Sequence, residues 1–171
     1  YDRFRNRLIV PIHDMQGRVV AFGGRSLDGQ EPKYLNSPES DIFEKGKMLF
    51  AFEKASSNIR KKDKAIIVEG YFDVISLHSK GITNSVASLG TALNKYQISQ
   101  LCRCTDNKNI ILNFDSDNAG ILATKRVIKE VENLSLHDQI NLKILQLIDF
   151  KDPDEYLNSH TPEDYFNLID N

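Results

Sequence analysis

The run Ala65-Ile66-Ile67-Val68 passes directly into Glu69-Gly70-Tyr71-Phe72-Asp73. Four consecutive apolar residues, three of them β-branched, read as a strand buried on both faces. The acid and the glycine end it, and residues 72–80 carry apolar positions near the 3.6-residue spacing of a helix. The unit recurs. Ser85-Val86-Ala87-Ser88, Ile110-Ile111-Leu112-Asn113-Phe114 and Leu142-Lys143-Ile144-Leu145-Gln146-Leu147 are further apolar runs, and residues 94–104 and 119–134 between them are helical in pattern. Strand and helix in alternation predict an α/β fold whose mostly parallel sheet carries helices on both faces. A closing helix is expected over 162–169, with Thr161 as its cap and Pro162 as its first residue.

Upstream the pattern changes. Leu8-Ile9-Val10-Pro11-Ile12 and Arg18-Val19-Val20-Ala21-Phe22 flank the turn chemistry of Asp14-Met15-Gln16-Gly17, which predicts an antiparallel hairpin. Gly23-Gly24 lets the backbone bend or approach a neighbour closely. A loop marked by Asp28-Gly29 and Glu31-Pro32 then leads into the polar, basic and aromatic stretch Lys33-Tyr34-Leu35-Asn36-Ser37-Pro38-Glu39. Phe50, Phe52, Ala55 and Ile59 fit a helix ended by Arg60-Lys61-Lys62-Asp63. The expected organisation is a small α+β subdomain over residues 1–62, followed by the parallel-sheet domain over 63–171.

Several function classes are disfavoured by composition. A chain of 171 residues with 40% hydrophobic and 27% charged residues is ordinary for one main globular core. No apolar run approaches the roughly eighteen residues of a membrane span, and the charged opening Tyr1-Asp2-Arg3-Phe4-Arg5 lacks the apolar stretch of a signal peptide. A soluble, cytoplasmic protein without membrane partners is expected. Cys102 and Cys104 have no cluster of partners and read as ordinary helical thiols, so neither a disulfide framework nor a zinc site is expected. His13, His78, His137 and His160 are scattered without ligand spacing. Net charge is only −2, yet residues 1–62 hold 12 Lys+Arg against 8 Asp+Glu, and the remainder 10 against 16. A basic part adjoining an acidic one suits a surface for a phosphate backbone beside a divalent cation.

The acids fall where such a cation would be held. Val68 runs into Glu69 and Asp73, Phe114 into Asp115-Ser116-Asp117, and the last strand is followed shortly by Asp152-Pro153-Asp154. In open parallel sheets, ligands bind beyond the carboxyl ends of the strands, so these acids are expected at one edge although they are far apart in sequence. Taken singly, each has a structural alternative. Glu69 favours a helix dipole, Asp115 or Asp117 caps a helix, and Asp-Pro-Asp makes a turn. Together, without His or Cys, they point to a hard, oxygen-liganded ion such as Mg²⁺, because mutual repulsion is otherwise uncompensated.

Glu69-Gly70-x-x-Asp73, Asp115-x-Asp117 and Asp152-x-Asp154 resemble the TOPRIM module shared by bacterial primases, topoisomerases and certain nucleases. Outside the acids, Arg3-Phe4-Arg5-Asn6-Arg7, Pro11-Ile12-x-Asp14, Gly17-Arg18-Val19, Phe22-Gly23-Gly24-Arg25, residues 32–39 and Lys45-Gly46 are similar to the catalytic core of the bacterial DnaG-type primases. So are residues 86–92 and Phe114-Asp115-x-Asp117-x-Ala119-Gly120. The likeness runs from the first residue to about Leu157. Ser116 stands where the family often has Gly, and Glu44 stands beside Lys45 where His is frequent.

The resemblance implies synthesis of short RNA primers on a single-stranded DNA template from ribonucleoside triphosphates, by two-metal nucleotidyl transfer in DNA replication. Residues 1–62 would be part of the basic N-terminal subdomain and 63–171 the metal-binding TOPRIM domain. Glu69, Asp115 and Asp117 would be catalytic and ligate Mg²⁺, for which Mn²⁺ can substitute, with Asp73, Asp152 and Asp154 completing the metal site. Arg5, Arg25, Lys33, Tyr34, Asn36 and Lys45 would bind nucleotide and DNA. The family's zinc ribbon, the early part of the basic subdomain and the C-terminal helical bundle have no counterpart in these residues. A piece of a longer polypeptide, weak or inactive alone, is therefore expected, with helicase and single-strand binding protein contacted through other segments. Within the residues themselves, strand cleavage by another TOPRIM activity, an Asp115-nucleophile phosphatase and a binding module without turnover remain the rivals.

Overall fold

The structure, a computed structural model, describes residues 2–134 and 139–170; Tyr1 and His137 lie outside them. Two sheets organise the chain. The first is antiparallel, with strands β1 (Arg7–His13), β2 (Val19–Ser26) and β3 (Tyr34–Asn36) in that order. The expected hairpin is its first half. Asp14 accepts hydrogen bonds from the amides of Gln16 and Arg18 at 2.9 and 3.0 Å, and Gly17 takes a positive φ of 77°, which closes the turn. Gly23 and Gly24 do not bend the chain. They continue β2, where a Cβ on Gly23 would lie 3.0 Å from the Tyr71 ring and one on Gly24 2.8 Å from Phe4, so close approach is their role.

The polar, basic and aromatic stretch of residues 33–39, for which no strand was expected, contains β3, which pairs Tyr34 with Arg25 and Asn36 with Gly23. A single 3-10 turn (Lys45–Lys47) and helix α1 (Phe52–Lys62) lead onward. Arg60, Lys61 and Lys62 occupy the last turn of α1, where cations oppose the helix dipole. Asp63 ends the helix in the left-handed region at φ 50°. Its carboxylate accepts from the amides of Asp106 and Asn107.

The second sheet consists of β4 (Ala65–Val68), β5 (Ser85–Ala87), β6 (Asn109–Leu112) and β7 (Asn141–Ile144), all parallel, in the order β5-β4-β6-β7. All four residues of β4 are buried. Ile66 and Val68 face one core with α2 (Tyr71–Ser79), α5 (Pro153–Leu157) and α6 (Pro162–Asp170). Ala65 and Ile67 face the other with α1, α3 (Lys95–Cys102) and α4 (Asn118–Glu132). This period-2 division is why the strand reads as uniformly apolar. Val10, Ile12 and Ala21 of the antiparallel sheet belong to the first core, so the two sheets share a hydrophobic interior. Helix α1, placed with the first subdomain in the sequence, packs Phe52, Ala55 and Ile59 into the core of the parallel sheet.

Two further differences from the sequence reading have physical causes. The last strand ends at Ile144, and Leu145 and Leu147 bury their side chains beyond it. Asp152 caps a short helix, accepting from the Glu155 amide at 2.9 Å, with Pro153 at the first helical position. Helix α6 starts as expected, Thr161 Oγ1 accepting from the Asp164 amide at 3.2 Å. Cys102 ends α3 and Cys104 lies beyond it; both are free and buried. Among the described residues no helix is long and apolar enough to cross a membrane.

Candidate active site

Strand order decides where the site forms. The chain moves from β4 outward to β5, then crosses back so that β6 lies on the other side of β4. The chain leaves β4 toward β5 and leaves β6 toward β7, in opposite directions, so a crevice opens at the carboxyl ends of β4 and β6. Glu69 follows β4 and Asp115 follows β6. The Asp115 amide donates to Glu69 Oε1 at 3.3 Å. Gly120, in the first turn of α4, lets this approach happen: a Cβ there would lie 2.0 Å from the Asp115 carbonyl oxygen and 2.7 Å from Glu69 Oε1.

Asp73 is turned toward its own helix start, its Oδ2 accepting from the Gly70 amide at 2.9 Å. Asp154 Oδ1 accepts from the Ser76 hydroxyl at 2.6 Å, which ties α5 to α2. These contacts gather acids from three segments around one cavity of about 360 Å³. It is lined by Glu69, Asp73, Asp115, Asp152 and Asp154 on the acidic side and, on the other, by Arg25 of β2, Tyr34 and Asn36 of β3, and Lys33 just before β3. Three residues named from the sequence do not line it. Asp117 caps α4, its Oδ1 accepting from the Gly120 amide at 2.9 Å. Lys45 sits in the 3-10 turn, its amide donating to Glu39 Oε1, and Arg5 lies away from the cavity walls.

The electrostatics are those of crowded anions. The Glu69 carboxyl is pushed up to about 7, first by burial and then by the charge of Asp115, with Asp117 and Asp73 adding. Asp73 is pushed up to about 6, again by burial first. Burial, Asp152 and Asp117 raise Asp115. Among the described residues none of the six acids is in an ion pair. A ligand that relieves this repulsion must be cationic, and an all-carboxylate donor set suits a hard divalent ion. Among the described residues no three His, Cys, Asp or Glu side chains form a ready metal cage, so the acids face a common space without closing on it.

Lys151 and Phe72 are among the cavity residues that the sequence reading did not name as site residues. Lys151 precedes Asp152 and lowers the carboxyl of Asp115 by its charge. Phe72, between Glu69 and Asp73, places its ring beneath Arg25, whose guanidinium carbon is 5.0 Å from the ring centroid. A single Lys and a single Phe carry no periodicity; the available signal was only their position beside motif acids. Phe72 also packs on Tyr71 at 5.5 Å and Tyr34 at 6.2 Å between centroids. Burial pushes the Tyr71 hydroxyl up to about 12.

Comparison with known proteins places the chain in a family. Residues 1–56 match the N-terminal domain of the DNA primase catalytic core, and residues 66–157 match the Toprim-like family. The chain is 57% identical over 169 residues to a DNA primase of Synechococcus elongatus, covering 99% of this chain and 24% of that protein. A DNA primase domain from Pseudomonas aeruginosa superposes with a TM-score of 0.91 at 41% identity, over 99% of this chain and 52% of that one. A DnaG primase catalytic domain bound to ssDNA gives 0.86 at 38% identity, over 99% and 53%. The chain thus spans about a quarter of that curated relative and half of those structures. It belongs to the DnaG-type family of bacterial DNA primases, with a Toprim-like domain over residues 66–157.

Proposed function

We propose that this cavity is the nucleotidyl-transfer site of a primase that builds short RNA primers on single-stranded DNA from ribonucleoside triphosphates. The observation that carries this reading is the single cavity in which five carboxylates face Arg25, Lys33, Tyr34 and Asn36. Glu69, Asp73, Asp115, Asp152 and Asp154 would hold divalent cations, Mg²⁺ or Mn²⁺, with Asp117 acting on Glu69 and Asp115 through its charge. When bound, such ions neutralise phosphate charge and acidify an attacking hydroxyl. Arg25, Lys33 and Lys151 would bind the triphosphate and orient its α-phosphate for in-line attack by a primer 3′-hydroxyl. Tyr34, with 44% of its surface exposed, offers a ring on which a base can stack. A phosphatase reading with Asp115 as nucleophile and Asp117 as acid fits less well, because Asp117 spends an oxygen on capping α4.

The test is template-dependent ribonucleotide incorporation by this chain embedded in a polypeptide of its relatives' length. Incorporation abolished by Asp115→Asn supports the reading. Undiminished incorporation by that variant contradicts it.

A further inference from the structure

Arg25 presents a problem of charge. It lines a cavity with five carboxylates, yet among the described residues its guanidinium is in no ion pair. A free guanidinium beside carboxylates ordinarily closes onto them, since bidentate charge-assisted bonds are the strongest available. Here the guanidinium carbon sits over the Phe72 ring, 5.0 Å from its centroid. That ring is itself fixed: Tyr71 and Tyr34 pack on it, and Tyr71 is buried between Phe50 and Gly23. Arg25 is held from its other end by the register that pairs it with Tyr34.

We infer that Phe72 is a positioning residue, whose ring holds the Arg25 guanidinium off the acids so that its donors meet the phosphates of a nucleoside triphosphate. The inference rests on the proposed function and adds a residue to it. Stacking leaves the in-plane N–H groups of an arginine free, which an ion pair does not. The same corner of chain, residues 69–73, then supplies two acids and the platform that keeps the opposing cation apart from them. Without the ring, Arg25 swings onto a carboxylate, and the triphosphate loses a partner.

The experiment is calorimetric titration of the chain with ATP in the presence of Mg²⁺, in wild type, Phe72→Ala, Phe72→Leu, Phe72→Tyr, Arg25→Ala and the Phe72→Ala/Arg25→Ala double variant. Phe72→Ala should weaken binding roughly two- to fivefold, the range of an exposed cation–π contact. Phe72→Tyr should restore it. Phe72→Leu keeps apolar bulk, so it should melt like the wild type and still bind as weakly as the alanine variant, which covers the case in which Phe72→Ala fails to fold. In the Arg25→Ala background, Phe72→Ala should have no further effect. Equal losses with and without Arg25, or wild-type affinity in Phe72→Leu, would overturn the positioning role. No binding of ATP by the wild type would instead overturn the nucleotide-site reading and the inference with it.

Discussion

The Asp115 amide donates to Glu69 Oε1 at 3.3 Å, so the loop after one central strand is tied to the acid after its neighbour. That bond offsets part of the cost of placing two carboxylates together, but burial and the surrounding acids outweigh it, and Glu69 stands near 7. The site is therefore built under electrostatic stress that a cation relieves.

The stress has a pH signature. Glu69 and Asp73 rise from 4.5 and 3.8 in free form to about 7 and about 6 in the folded chain. Between those limits the folded state holds more protons than the unfolded one, so stability is greatest on the acid side and falls as pH rises toward 7. Melting temperatures without divalent cations should decline from about pH 5 to about pH 7.5, and Mg²⁺ should raise them more at the higher pH. Glu69→Gln should flatten the profile. A profile rising over that window in metal-free buffer would contradict the assignment.

Gly120 is the steric condition of the site. Gly120→Ala places a methyl against the Asp115 carbonyl, which no side-chain rotation relieves. A loss of about 1–3 kcal/mol is expected from overpacking, together with weakened Mn²⁺ binding, measured by denaturant unfolding and titration. Wild-type values for both would show that the α4 start yields freely.

How much of this was legible in the chain varies by element. The parallel sheet was readable because β4 and β6 are buried on both faces, and a doubly buried strand can be only apolar. Strand β3 was not: Tyr34-Leu35-Asn36 is three residues in a polar stretch, and it is a strand because β2 offers an unpaired edge. Asp-Pro-Asp is equally good turn and helix-start chemistry, and packing of Tyr156 and Leu157 decided for the helix. The acids were legible from strand ends. A motif gives a position along the chain, not the direction of a side chain, which is why Asp117, Arg5 and Lys45 fall outside the cavity walls while Lys151 and Phe72 fall within.

A buried bond ties the last helix to the end of β6. Tyr165 Oη donates to Asn113 Oδ1 at 2.6 Å, while Asn113 Nδ2 donates to the Leu145 carbonyl. Tyr165→Phe leaves a buried acceptor unmet and should cost about 1–3 kcal/mol in urea unfolding. An unchanged midpoint would mean that the acceptor finds another donor.

Lys33 and Lys151 line the cavity, whereas Lys129 is exposed near the far end of α4. If the first two meet the triphosphate, each alanine substitution should weaken Mg²⁺-ATP binding and make it less steeply dependent on salt, and Lys129→Ala should leave both unchanged. Equal slopes in all three variants would make the cavity lysines ordinary surface charges.

The central claim is that the carboxylates at the ends of β4 and β6 hold a divalent cation. Its most direct measurement is Mn²⁺ titration of the chain followed by electron paramagnetic resonance, with Mg²⁺ as competitor. The account predicts saturable Mn²⁺ binding at neutral pH that Mg²⁺ displaces and that Asp115→Asn removes. Equal Mn²⁺ binding by the wild type and Asp115→Asn would contradict it.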